Sequence, residues 1–97
     1  DPSNECLVSV PFTAKAGVDV ERMKADIVST VEQATVGLAN PQYKPVVKLN
    51  GFTPYGIDGT IYAFAKNDLI LSTMADAVAQ SIAHADYLEH RAVGSGE

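Results

Sequence analysis

The sequence predicts a single α+β domain, one β-sheet with two amphipathic helices on one of its faces. Two short apolar alternations of period two bracket a run of helical periodicity, and a second helical run follows them. Two helices that each carry one apolar stripe need one apolar sheet face to cover. The 97 residues suit one domain, and 46% hydrophobic against 20% charged residues is globular rather than disordered composition.

The first element is 5–13, ECLVSVPFT, in which Cys6, Val8, Val10 and Phe12 alternate with Leu7, Ser9, Pro11 and Thr13. Pro11 has no N–H for a ladder, so this strand is expected at an edge, or unpaired at its end. A helix is predicted over 19–36, where Val20, Met23, Ile27, Val31 and Ala34 share a face and Asp19 is the N-cap candidate. The connection 37–45 holds Asn40-Pro41 and Lys44-Pro45, which resist helix. Strands follow at 46–52 and 59–66, joined by a long hairpin with Asn50-Gly51 as a bulge or turn. The second helix starts at Asp68, capped by Asp68 or Ser72, and runs to about Leu88, with Leu71, Met74, Val78 and Ile82 on one face. Residues 1–4 and 94–97 read as disordered ends.

The order β-α-β-β-α is that of a ferredoxin-like sandwich, with an antiparallel or mixed sheet. The first strand and the strand after the helix are expected side by side and parallel, joined by a right-handed crossover. One sheet face then stays open unless a partner covers it.

Composition excludes several functions. A single Cys cannot form a disulfide within the chain, nor a Cys-rich zinc site. The net charge is −5 and the bases are scattered, so no nucleic-acid partner is expected. Apolar stretches fall well short of the roughly 20 residues a membrane span needs. The chain does not begin with Met, as a processed product or an excised piece would not.

No catalytic set, metal site or cofactor motif emerges. His84 and His90 are six apart, the wrong spacing for two ligands on one helix face. Asp86 and His90 are spaced to meet near the helix end. Cys6 reads as a small hydrophobe of the strand. In the 53–59 loop only Asp58 offers a carboxylate, and Gly56 and Gly59 read as hairpin glycines with positive φ. Tyr55 and Asp58 are the candidate ligand-contacting residues there. Phe52, Tyr55, Tyr62 and Phe64 are the candidate interface. Tyr62 and Phe64 share one strand face; their bulk favours the core side, whereas the reverse phase would turn them to the open face and give the helices Ile61, Ala63 and Ala65.

Two segments carry a resemblance. LVSVPFTAKAGVDVERMKADI and NPQYKPVVKLNGFTPYGIDGTIYAFAKND resemble the C-terminal α/β domain of the small-conductance mechanosensitive channel family, over roughly residues 6–86. The likeness lies in the opening strand, the "D-V-x-x-x-K" helix start, the Pro-containing loop and the "V-x-L-x-x-F" strand. It implies a cytoplasmic, non-catalytic domain that assembles as a homo-oligomer around a vestibule, with any membrane contact made by a segment outside this chain. YLEHRAVGSGE stands where that family carries a short apolar, Pro-containing strand. Two alternatives are a small-molecule or metal-sensing regulatory module on the same scaffold, and a small dimeric α+β barrel enzyme with Ser9, Thr60 and Tyr62 on its sheet face.

Overall fold

The computed structural model describes residues 6–89. Strand β1 spans Leu7–Ala14, helix α1 Val20–Ala34, β2 Val46–Thr53, β3 Gly56–Phe64 and helix α2 Leu71–Ile82, the last preceded by a 3-10 turn at Asp68–Ile70. The fold is α+β: a three-stranded antiparallel sheet of order β1-β3-β2 and two helices. The expected parallel adjacency is therefore corrected. Both β1 and β2 run antiparallel to β3, so they are parallel to each other, but β3 lies between them. The tight β2–β3 hairpin explains this, because it places β3 beside β2 and on the side of β1.

Alternation sets the two faces. On β1, Val8, Val10, Phe12 and Ala14 are buried; on β3, Ile57, Gly59, Ile61 and Ala63. These join Met23, Ile27 and Val31 of α1 and Met74, Val78 and Ile82 of α2 in one core. The small residues Ala63 and Ala65, both fully buried, let the helices approach the sheet closely. Tyr62 and Phe64 thus stand on the face opposite the helices. The expectation that their bulk fills the core is corrected, because Ile61, Met23, Ile27 and Met74 supply the volume.

Asp19 caps α1 as expected, its Oδ1 accepting from the Arg22 N–H at 3.2 Å. The second helical region differs. Asn67, not Asp68 or Ser72, accepts from the Leu69 N–H, and α2 ends at Ile82 rather than near Leu88. Beyond α2 the chain turns back to β1. Lys15 N–H donates to the Tyr87 carbonyl at 2.8 Å and Glu89 N–H to the Thr13 carbonyl at 2.9 Å, with Leu88 opposite Ala14. That backbone pairing is incompatible with continued helix.

The hairpin is shorter than expected. Thr53 pairs with Gly56, leaving Pro54-Tyr55 as a two-residue turn, and residues 56–58 belong to β3. The Thr53 hydroxyl accepts from the Tyr55 N–H at 3.1 Å, a local turn bond. Gly56 has φ +155°, and a methyl there would overlap the Ala14 carbonyl. Gly59 does not have positive φ, which corrects its reading as a loop glycine. It is a strand residue whose missing side chain makes room for the Phe12 ring. The register shift between Leu49 and Gly51 makes Asn50-Gly51 a bulge.

Candidate functional site

The candidate interface residues divide between the two ends of the sheet. At the near end β1 and β2 start and β3 finishes. At the far end the β2–β3 hairpin turns.

Tyr62 and Phe64 stand on the open face toward the near end. Phe64 lies opposite Leu7 of β1, and Tyr62 lies between Ser9 and Val46. Leu7, Val46, Lys48, Tyr62 and Phe64 line a shallow depression there. Tyr43, from the 37–45 connection, packs on Phe64 with ring centroids 4.9 Å apart. Leu7, Tyr43 and Val46 are all exposed. Leu7 and Val46 were legible only as the outward phase of their strands. Tyr43 lies in PQYKP, where no periodicity points to a neighbour.

Two more near-end residues are almost bare: Val36, 81% exposed just beyond α1, and Leu69, 89% exposed in the 3-10 turn. The sequence placed both within helical stretches, but on neither of the apolar faces marked by helical spacing. Between the end of α1, the 37–45 connection and the end of β3 lies a groove of about 310 Å3. Val36, Ala39, Pro41, Tyr43 and Phe64 line it together with Glu32, Asn40 and Lys44.

Phe52 and Tyr55 sit at the far end. Phe52 is 85% exposed and Tyr55 51%. The bulge explains Phe52. The extra residue reverses the strand's phase, so that Phe52 lies opposite Ile57 and on the helix side of the sheet. Neither helix covers it there. Asn50, the bulged residue, donates from Nδ2 to the Thr60 Oγ1 at 2.9 Å across the open face.

The candidate ligand loop is a polar cleft. Thr13, Thr53, Tyr55, Asp58 and Glu89 line about 320 Å3. The Asp58 Oδ1 already accepts from the Thr13 hydroxyl at 2.8 Å, so that carboxylate ties β3 to β1. Among the described residues no group of three His, Cys, Asp or Glu side chains is placed to hold a metal ion. The structure does not gather Ser9, Thr60 and Tyr62 into a buried polar cluster; all three face outward from β1 and β3. His90 lies outside the described residues, so its pairing with Asp86 does too. Cys6 is half-buried against the core, as its alternation implies.

Both edges of the sheet resist strand addition. On β1 the even-numbered residues bond to β3, as the Ala65 N–H to Cys6 carbonyl bond illustrates, and the odd-numbered ones point outward. Pro11 stands in the outward set, so the edge lacks a donor at its centre. Residues 87–89 occupy its far end. On β2 the Asn50-Gly51 bulge breaks the edge's regularity.

Partial burial pushes the Tyr87 pKa above 10.0, and the carboxylates of Asp26 and Asp86 push it the same way. Among the described residues no helix is long and apolar enough to cross a membrane. No known family model matches the chain, and no curated protein matches it.

Proposed function

We propose that this chain is a non-catalytic assembly domain of ferredoxin-like type that works by self-association. In this reading it resembles the C-terminal α/β domain of small-conductance mechanosensitive channels and acts on the cytoplasmic side. The split arrangement, with β3 between the parallel β1 and β2, supports the ferredoxin-like part. One observation carries the functional part. On the open face at the near end, exposed Leu7, Tyr43 and Val46 gather around Tyr62 and Phe64, while Phe52 and Tyr55 are exposed at the far end. Clustered apolar surface marks an association site, whereas single scattered residues do not. The blocked edges argue for contact through side chains rather than through a continuous intermolecular sheet.

The test is the solution mass of the chain over a concentration series, by light scattering coupled to gel filtration. A defined oligomer that gains population with concentration is expected. Replacing Leu7 and Val46 by Lys should shift the series toward monomer without changing the circular dichroism. A monomer at every concentration refutes the proposal.

A further inference from the structure

We infer that residues 83–89 form a two-state strap: they lie across the edge of β1, or they continue α2 and leave that edge open. This inference does not depend on self-association.

The local sequence favours helix. From Leu71 to Val93 there is no Gly or Pro to stop one. Ala83, Ala85, Leu88 and Glu89 are strong helix formers. The apolar spacing of Met74, Val78 and Ile82 continues through Ala85 to Leu88. The observed end of α2 also lacks the usual left-handed stop. Its C-cap, Ala83, has φ −57° and ψ −29°, which is right-handed helical backbone.

The bonds beyond Ile82 fall one residue short of helical ones. The N–H groups of Ala83, Ala85 and Leu88 donate to the carbonyls three residues earlier, those of Gln80, Ile82 and Ala85, at 3.2, 3.0 and 3.3 Å. Such turns are the tighter relatives of an α-helical turn.

Tertiary contacts hold the segment off the helical path. Lys15 N–H donates to the Tyr87 carbonyl and Glu89 N–H to the Thr13 carbonyl. Tyr87 and Leu88 pack half-buried against the core, whereas Ala83, His84 and Asp86 are exposed. Local preference and tertiary pairing thus compete for the same residues, and few contacts decide between them. A segment in that position opens without unfolding the domain.

The strap guards an edge. Pro11 removes a donor from the middle of the β1 edge, and the strap satisfies the next outward groups, the Thr13 carbonyl and the Lys15 N–H. In the helical state residues 83–88 add about 9 Å to α2. Glu89 then leaves the cleft that it lines with Thr13 and Asp58. The Lys15 N–H is bared, but the Glu89 N–H is not, because it donates to the Ala85 carbonyl as a helical bond.

That difference supplies the test. Native-state hydrogen exchange of the whole chain is read by NMR and corrected for intrinsic rates. The Lys15 amide should exchange at least about tenfold faster than the Glu89 amide, and faster than the Val10 amide in the β1–β3 ladder. Equal rates for Lys15 and Glu89 overturn the inference, since both amides are freed when the strap leaves as coil or the domain unfolds. The double variant His84→Ala with Asp86→Ala changes two exposed residues and keeps the strap's backbone bonds and Leu88. By raising helix propensity it should speed Lys15 exchange about fivefold and leave Val10 unchanged. A Lys15 rate that does not respond, or a rise shared equally by Val10, also overturns the inference.

Discussion

Gly59 and Phe12 make a prediction that can be worked from distances. They are direct cross-strand partners on the helix side of the sheet. A Cβ on Gly59 would lie 2.5 Å from Phe12 Cζ and 2.8 Å from Cε1, with the Lys48 carbonyl oxygen at 3.0 Å. Carbon atoms prefer about 3.5–4.0 Å, so the ring must retreat by roughly 1 Å. Overpacking of this kind costs about 1–3 kcal/mol. Alanine is better than glycine within a strand by about 0.5–1 kcal/mol. Gly59→Ala should therefore destabilise the parent chain by about 1–2 kcal/mol. In a Phe12→Leu background the ring is gone, and the same substitution should be neutral or stabilising by about 0.5 kcal/mol. The Lys48 carbonyl is present in both backgrounds and drops out of the difference. A double-mutant cycle by urea unfolding, with unchanged m-values, should give a coupling of about 2 kcal/mol. Equal costs of Gly59→Ala in the two backgrounds, within about 0.5 kcal/mol, would show that the glycine does not serve the ring.

Gly56→Ala should cost more than Gly59→Ala, above about 3 kcal/mol, because its obstacle is backbone and its φ is positive. Thermal unfolding of the two variants side by side checks the order. Asp19→Ala should lose about 0.5–2 kcal/mol with the cap of α1; Asp19→Asn should recover most of it in the same denaturation assay. Tyr87 should titrate above the ordinary tyrosine value in an ultraviolet absorbance titration, since burial, then Asp26 and Asp86, raise its pKa. The folded state then holds this proton more tightly than the unfolded state. Its contribution to stability is complete below pH 10 and is lost as pH rises through the folded pKa. Asp26→Asn should lower that pKa only partly, because burial is the larger cause.

The sequence by itself determined the element types, their order and most of the core. Val8, Val10 and Phe12, Met23, Ile27 and Val31, and Met74, Val78 and Ile82 were readable because alternation and helical spacing project directly onto one face. Asp19 as cap, and Asn50-Gly51 as a bulge or turn, were readable because both are local backbone events; the register with β3 decided for the bulge. What only the tertiary structure decided is which apolar residues remain uncovered and where they meet. Tyr62 and Phe64 share a strand with Ile61 and Ala63, and periodicity cannot say which side the helices take. Phe52 is turned by one extra residue in β2. Leu7, Tyr43 and Val46 come together around Tyr62 and Phe64 from separate segments. The contact of residues 87–89 with β1 likewise depends on where α2 ends. Each of these is a meeting of segments distant in the chain, set by packing and hydrogen bonding between elements rather than by preferences within them.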